Sequence, residues 1–147
     1  MDFVIKQFDD LTNDELYKIL KARIDVFVVE QNCPYEECDN KDYDSVHIFY
    51  QENNEITAYL RIIAAGVSYK EPSIGRVLVA KEYRRQGIAK KMMNKALLYI
   101  SNNFEADSIR ISAQKYLLDF YRSLGFESVS DEYLEDGIPH HEMLYKY

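Results

Sequence analysis

The stretch from Val77 to Met93 constrains the fold of this 147-residue chain more than any other. An apolar, β-branched run that ends at Val79 predicts a strand, and Gly87 lies in the polar turn that follows it. Apolar residues at helical spacing from Ile88 onward then predict a helix. The first amides of such a helix have no partner within it, and the helix dipole adds partial positive charge there. The sequence therefore predicts an anion-binding turn, in which Gly87 lets the backbone approach a ligand closely.

Basic residues are concentrated in the same stretch. Residues 81–95 carry six basic residues against one acidic residue, Glu82, whereas the whole chain has a net charge of −7. A local cationic island on an acidic chain favours one bound polyanion over a general attraction to nucleic acid. On spacing alone a solvated basic helix face is an equal alternative, because short glycine motifs are weakly specific. The six basic residues are Lys81, Arg84, Arg85, Lys90, Lys91 and Lys95.

A second charged segment, from Glu30 to Asp44, is strongly acidic, with Lys41 as its one basic residue. Pro34 and the absence of apolar periodicity predict a loop. Two interpretations stay open: a solvated acidic loop, or the wall of a pocket that receives a cationic amine. Arg23, in the apolar stripe of the preceding helix, either points to that pocket or is a buried and paired arginine, and the second interpretation is favoured.

Hydrophobic periodicity along the chain predicts a mixed α/β domain that spans residues 1–147. Helices flank a mostly antiparallel central sheet of about six to seven strands. The helix after Gly87 is a right-handed βαβ crossover, which makes the fourth and fifth strands parallel. Strands are predicted at residues 3–8, 46–51, 56–65, 74–79, 108–112, 126–130 and 142–147, and helices at 13–29, 88–103 and 114–124.

Short capping and turn motifs predict where several of these helices and strands begin or end. Thr12 and Glu15 form a capping box at the start of the first helix. The pair Asn53-Asn54 predicts a tight hairpin, because asparagine tolerates the left-handed conformation of primed turns. Gly125 stands at the C′ position of the last helix.

Neither a metal site nor a membrane segment is expected. Cys33 and Cys38 are separated by four residues and do not form a Cys-x-x-Cys pair, so we expect free thiols. A zinc site made from them with His140 and His141 is the alternative, but its spacing fits no standard pattern. The chain opens Met-Asp-Phe, without a basic segment and an apolar run behind it, so we expect a cytoplasmic protein.

Two motifs resemble the signatures of the GNAT acetyltransferase superfamily. The segment Arg84 to Ala89 (Arg-Arg-Gln-Gly-Ile-Ala) resembles its Gln/Arg-x-x-Gly-x-Gly/Ala signature, and lies between a predicted strand and a predicted helix as that signature does. The segment Phe120 to Phe126 resembles its second signature, a tyrosine four residues before Gly-Phe. The resemblance covers nearly the whole chain. The segments that resemble the ElaA branch in particular are 27–31, 35–42, 113–114 and 136–140.

This resemblance implies transfer of an acetyl group from acetyl-CoA, as co-substrate, to a primary amine, without a metal. It also implies that the fourth and fifth strands splay apart to admit the pantetheine arm of the cofactor. The pyrophosphate would then lie on the amides of the turn before the crossover helix. The cofactor-binding residues implied are Val77, Leu78, Val79, Arg84, Arg85, Gln86, Gly87, Ile88, Ala89, Lys90, Gln114 and Tyr121.

Three side chains are candidates for the proton transfers of that reaction. The resemblance places Tyr121 as the general acid for the departing sulfur, and a tyrosine hydroxyl stays protonated below about pH 10. Glu30, beside the acidic loop, and His140, whose ordinary pKa near 6.5 suits the task, are alternative bases. Water could also carry the proton. The amide of Leu78 or Val79 would stabilise the oxyanion that develops during the transfer.

Other interpretations stay beside this one. The same turn would serve a non-catalytic acyl-CoA-binding sensor or partner module, which differs in having no use for Tyr121 as an acid. Nucleic-acid binding is disfavoured by the acidic remainder of the chain. Gln114 stands where many superfamily members carry Asn, and Tyr116 stands where the branch pattern suggests His, so no role is assigned to that His. The partner expected is a small-molecule or peptide amine, and a homodimer is possible.

Overall fold

The computed structural model describes residues 1–147. It contains eight β-strands in two four-stranded sheets. The strands are β1 (Val4–Gln7), β2 (Val46–Glu52), β3 (Glu55–Ile63), β4 (Ser73–Val79), β5 (Ser108–Gln114), β6 (Glu127–Ser128), β7 (Tyr133–Glu135) and β8 (Ile138–Lys146). The helices are α1 (Asn13–Arg23), which continues as a π-helix (Ile24–Glu30), α2 (Ile88–Asn103) and α3 (Leu118–Ser123). Short 3₁₀ turns occupy Phe8–Asp10, Lys41–Asp44, Lys81–Tyr83 and Lys115–Leu117. The predicted mixed α/β class is confirmed.

Every strand pair within the two sheets is antiparallel. The first sheet has the order β1-β2-β3-β4. In the second sheet β8 pairs with β5 on one side and with β6 and β7 on the other. The strand β7, only three residues long, was not expected from the sequence, because the segment is too short to show an alternating pattern.

The two sheets separate between β4 and β5, which form no ladder with each other. Near their N-terminal ends the strands are held together: Arg110 N donates to Pro72 O at 3.0 Å, and the Arg110 guanidinium binds Glu71 at 3.1 Å. Toward their C-terminal ends, at Val79 and Gln114, they diverge and line a cleft. The splay that the family resemblance implies is therefore present.

The crossover helix α2 lies over this divided sheet and fills the main core. Its buried residues pack with apolar side chains of both sheets, and this shared core holds the two sheets together. A smaller cluster on the other face of the first sheet includes Ile19 of α1 together with Phe49, Tyr59 and Leu78. The buried residues of α2 are Ile88, Met92, Met93, Ala96, Leu97 and Ile100.

The local signals are borne out at three element ends. Thr12 accepts a hydrogen bond from the amide of Glu15, and the Glu15 carboxylate accepts one from Thr12, which completes the capping box. Asn53 and Asn54 have φ angles of 52° and 63°, as a primed hairpin turn requires. Gly125, with φ of 106°, follows the last helix in a conformation that favours glycine.

Two helix predictions need correction. The helix predicted over 13–29 is an α-helix only to Arg23, and from Ile24 it is wound as a π-helix. This segment is rich in β-branched residues, which crowd the preceding turn of an α-helix. The helix predicted over 114–124 begins later: Gln114 ends β5, a 3₁₀ turn follows, and the α-helical part is Leu118–Ser123.

Candidate active site

The diverging ends of β4 and β5 open onto a cleft of about 720 Å³. The start of α2, the end of the π-helix, α3 and the β7–β8 hairpin form its remaining walls. Of the twelve residues expected to bind a cofactor, all except Gln86 line this cleft. The predicted catalytic residues Tyr121, Glu30 and His140 line it as well.

The N-terminus of α2 presents backbone donors to the cleft. Gly87 occupies the cap position with φ of 76°, no side chain caps the helix, and no acidic residue lies in its first turn. Arg85 also has a positive φ, 65°. The first amides of this 16-residue helix therefore have no capping side chain, and the helix dipole makes the position favourable for an anion.

Arg84, although it belongs to the same motif, already has partners within the protein. Its Nε donates to Val79 O at 2.8 Å, and its two terminal nitrogens bind the Glu30 carboxylate at 2.7 and 2.9 Å. The hydrogen bonds from Arg84 lower the pKa of Glu30. Glu30 is thus a carboxylate held by a guanidinium, which disfavours it as a base, and Arg84 ties the turn to the end of the π-helix.

Tyr121 on α3 is a largely buried residue whose hydroxyl lies at the cleft. Its side chain lies edge-on to Phe120 and Phe126, with 6% of the residue exposed, and no hydrogen bond within the protein uses its hydroxyl. Burial raises the pKa of Tyr121 above its ordinary value. The hydroxyl therefore stays protonated through the neutral range and is free to donate a proton to a ligand in the cleft.

His140 on β8 is the buried imidazole of the cleft. Only 5% of the residue is exposed. Its Nδ1 lies 2.6 Å from Ile138 O, so Nδ1 carries the proton in this contact. Its ring stacks on Tyr133 with centroids 6.1 Å apart. The second nitrogen, Nε2, takes part in no hydrogen bond of the protein and is left as the acceptor of a neutral ring.

Backbone geometry separates the two amides that were candidates for stabilising an oxyanion. In the β3–β4 ladder Leu78 lies opposite Tyr59 and Val79 opposite Ala58, and Ala80 N donates to Thr57 O. Because hydrogen-bonded and non-hydrogen-bonded pairs alternate along an antiparallel ladder, the amide of Leu78 faces β3 and that of Val79 faces the gap. The geometry favours Val79.

The acidic segment after the π-helix fits each interpretation only in part: Glu36 and Asp44 are exposed, and Glu30 lines the cleft, but its other carboxylates are paired within the protein. Three of its carboxylates bind three arginines from α1, β3 and β4, in what we call the buried ion cluster. Its members are Glu37, Asp39 and Asp42, with Arg23, Arg61 and Arg76. The cluster is balanced in charge, so these carboxylates are neither solvated nor free to bind an amine.

Arg23 has the role that the sequence favoured. Its side chain is 1% exposed and contacts Glu37 and Asp42 at 2.7 Å each. Burial works against the charged form of Asp42, but hydrogen bonds from Arg23 and Arg61 outweigh that effect and lower the pKa of Asp42. The pKa of Asp39 lies well below its usual range for the same reasons, with Arg61 as the main partner.

The cysteines are free thiols, as expected. Cys33 is buried and donates to Asp136 O at 3.4 Å, whereas Cys38 is exposed. No group of three or more His, Cys, Asp or Glu side chains is arranged to hold a metal ion. None of the helices combines the length and the apolar character that crossing a membrane requires.

Several residues of the cleft were not anticipated from the sequence. One is Gln31, whose side-chain amide faces that of Gln114, a residue expected to bind the cofactor, at 3.3–3.4 Å. Ser112 and Glu135 line the wall beside His140. A strand prediction for 133–135 would have placed Glu135 beside His140, but the segment offers too few residues for that signal.

Comparison with known proteins agrees with this geometry. Residues 9–147 match a family model described as an acetyltransferase (GNAT) domain. The chain is 38% identical to the protein ElaA of Escherichia coli, over 89% of this chain and 87% of ElaA. It is 41% identical to a UPF0039 protein of Schizosaccharomyces pombe, over 97% of this chain and 95% of that protein.

Two solved structures share the whole architecture. The crystal structure of Escherichia coli ElaA superposes with a TM-score of 0.92 at 35% identity, and each chain is 99% covered. That of an acyl-CoA N-acyltransferase from Pseudomonas aeruginosa superposes with a TM-score of 0.90 at 36% identity and the same coverage. Family members transfer acyl groups from coenzyme A to amines. The chain therefore belongs to the GNAT acetyltransferase family, in its ElaA-like branch.

Proposed function

We propose that this protein transfers an acetyl group from acetyl-CoA to a primary amine of a small molecule or peptide, by direct attack of the amine. One observation carries the proposal: a single cleft contains the uncapped start of α2, the unpaired hydroxyl of Tyr121 and the ring of His140. These groups match the tasks of holding an anionic cofactor, protonating a leaving group and removing a proton from an amine.

The residues of the cleft fit the cofactor in charge and in the main-chain groups that they offer. Acetyl-CoA supplies the acetyl group as an activated thioester. The amides at the start of α2, together with Arg85 and Lys90, which form no ion pair within the protein, would hold the pyrophosphate. The main chain of Val77 and Val79 would bind the pantetheine arm as an added strand is bound. Arg84 would act indirectly, by holding the turn against β4.

The chemical roles follow from which groups are unpaired. The amide of Val79, which faces the gap, would donate to the oxygen that becomes negative during the transfer. Tyr121 would give its proton to the departing sulfur. His140 Nε2 would take a proton from the acceptor ammonium, whose pKa near 10.4 prevents attack until it is deprotonated. We prefer His140 to Glu30 as the base, because Glu30 is bound by Arg84.

A sensor that binds acyl-CoA without turning it over would use the same start of α2. The hydroxyl of Tyr121 favours the enzyme, because it lies at the cleft, forms no hydrogen bond within the protein and is therefore available to protonate a leaving group.

Titration calorimetry with acetyl-CoA tests the proposed cofactor site. We expect the parent protein to bind and Arg85→Glu to bind about tenfold more weakly or worse, which corresponds to about 1.4 kcal/mol. Lys95→Glu makes the same change of charge on α2 away from the cleft, and we expect its affinity to stay within about twofold. A screen of amines with detection of the released thiol then identifies the acceptor.

Absence of binding in a folded parent protein would contradict the enzyme and the sensor together. Equal weakening by Arg85→Glu and Lys95→Glu would contradict the proposed site while leaving a general attraction to anions.

A further inference from the structure

The β7–β8 hairpin places a carboxylate beside the proposed base. Asp136 and Gly137 form its turn with φ angles of 50° and 77°, and Tyr133 lies directly opposite His140. Side chains two residues apart on a strand point to the same face. Glu135 therefore shares a face with Tyr133 and is the diagonal neighbour of His140.

Contacts fix Glu135 in this place. Its Oε2 lies 3.3 Å from His140 Nε2, and its Oε1 accepts a hydrogen bond of 3.1 Å from Ser112 Oγ. Ser112 Oγ lies in turn 2.5 Å from the hydroxyl of Tyr133. The carboxylate is thus held between β5 and β8, and three members of this group, Ser112, Glu135 and His140, line the cleft.

The two nitrogens of His140 have different surroundings. Nδ1 is held by Ile138 O, whereas Nε2 has no hydrogen bond and faces the Glu135 carboxylate. A neutral ring gains nothing from that carboxylate. An imidazolium lies between two oxygen acceptors and is stabilised by both. The carboxylate thus lies beside the ring nitrogen that would take the proton.

We propose that Glu135 is the positioning residue for His140, and that the pair accepts the proton of the acceptor ammonium. This inference rests on the proposed acetyltransferase function. The ammonium gives one proton to His140 Nε2 and keeps the electron pair of that N–H bond on its nitrogen. The nitrogen then forms the bond to the acetyl carbon as the carbon–sulfur bond breaks.

The remaining protons balance as follows. The electron pair of the carbon–sulfur bond goes to sulfur, which takes the proton of Tyr121. The amide nitrogen loses its second proton to water, and water reprotonates Tyr121. His140 releases its proton to water. Solvent is close to the buried ring on the side of Glu135, which is exposed. The products are the N-acetyl amine, free coenzyme A thiol and one proton.

The chain contains a matched control for this pair. His141, the next residue of β8, has its own carboxylate neighbour, Glu132, at 3.9 Å, and neither residue lines the cleft. Glu132→Gln thus removes a carboxylate beside a histidine of the same strand, without a change in the proposed site.

Steady-state kinetics with saturating acetyl-CoA and the best amine of the screen provide the test. We expect Glu135→Gln to lower kcat by about tenfold or more. Its affinity for acetyl-CoA should remain that of the parent. Glu135→Asp should recover part of the lost rate, and Glu132→Gln should keep the parental rate. Adding Glu135→Gln to His140→Gln should cause no further loss, because Glu135 acts through His140.

Each outcome decides between the claims. An active parent with equal rates in Glu135→Gln and Glu132→Gln would overturn the inference alone. Losses that multiply in the double variant would show that Glu135 acts independently of His140, which also overturns it. A parent that binds acetyl-CoA but acetylates no amine would overturn the proposed function, and the inference with it.

Discussion

The buried ion cluster and the cleft lie side by side along β4, yet they use their polar groups in opposite ways. In the cluster, Arg76 of β4 and its two companion arginines have carboxylate partners. In the cleft, the hydroxyl of Tyr121, Nε2 of His140 and the first amides of α2 have no hydrogen-bonding partner in the protein. Charge alone therefore does not distinguish the two regions: the cluster gives each guanidinium a carboxylate partner, whereas the cleft leaves polar groups open to a ligand.

This difference disfavours the three carboxylates of the cluster as the groups that receive an amine. A carboxylate already bound by a guanidinium offers little to an incoming ammonium, because binding would first require the existing pair to separate. Its ion pairs with Arg61 and Arg76 instead hold the segment, which is the loop between the π-helix and β2, against the sheet. The polar groups available to a substrate lie on α3 and on the β7–β8 hairpin.

Breaking the cluster should have the largest effect on stability. Arg23→Met leaves Glu37 and Asp42 buried without their shared partner, so we expect the free energy of unfolding to fall by about 3–5 kcal/mol. Urea denaturation followed by circular dichroism measures it. Arg122→Met removes an exposed pair with Asp119 and should change the same quantity by less than about 1 kcal/mol. Similar losses in both variants would contradict the structural role of the cluster.

Acid should weaken the cluster next. The pKa of Asp39 and of Asp42 is lower in the folded protein than the ordinary value near 3.9. Their contribution to stability is therefore fully present above about pH 4 and is lost as the pH falls below it toward their folded values. Urea midpoints at pH 7, 5 and 3 should be similar for the first two and lower for the third.

Asp39→Asn provides the comparison for this acid effect. The variant should be less stable than the parent at pH 7 and should lose less on going from pH 5 to pH 3. An unchanged acid dependence in the variant would show that other carboxylates govern it.

Breaking the pair between Arg84 and Glu30 should have the smallest effect on stability. The pair lies in the cleft, outside the buried ion cluster, and both of its members already have a partner. It is partly exposed, with 36% and 40% of the two side chains accessible. Glu30→Gln should lower the free energy of unfolding by less than about 1 kcal/mol. Because His140 is the proposed base, kcat should stay within about threefold of the parent. A hundredfold loss of kcat with normal acetyl-CoA affinity would restore Glu30 as the base.

The sequence predicted those parts of the site whose information is local. The strand, turn and helix around Gly87 form one continuous stretch, so spacing and family resemblance placed nearly every proposed cofactor contact. The buried ion cluster was out of reach because its partners come from four separate regions. Arg76 and Glu37, for example, are 39 residues apart. No periodicity reports which arginine will meet which carboxylate across such a distance.

The hairpin beside His140 shows a different reason for failure. Glu135 is only five positions from His140, but its strand has three residues, too few for an alternating pattern to stand out. The last strand was predicted to begin only at residue 142 instead of at Ile138, so the face that Glu135 shares with Tyr133 was missed. The fold class and most strands were predictable because each depends on longer runs.

The most direct test of the account is a paired measurement on Tyr121→Phe. Calorimetry gives its affinity for acetyl-CoA, and thiol release with saturating amine gives kcat; Tyr99→Phe, a half-buried tyrosine of α2 outside the cleft, is the control. An unpaired acid predicts unchanged affinity and a kcat lower by about a hundredfold, with no change in the control. Full kcat in Tyr121→Phe would contradict the claim that the unpaired groups of the cleft carry out the chemistry.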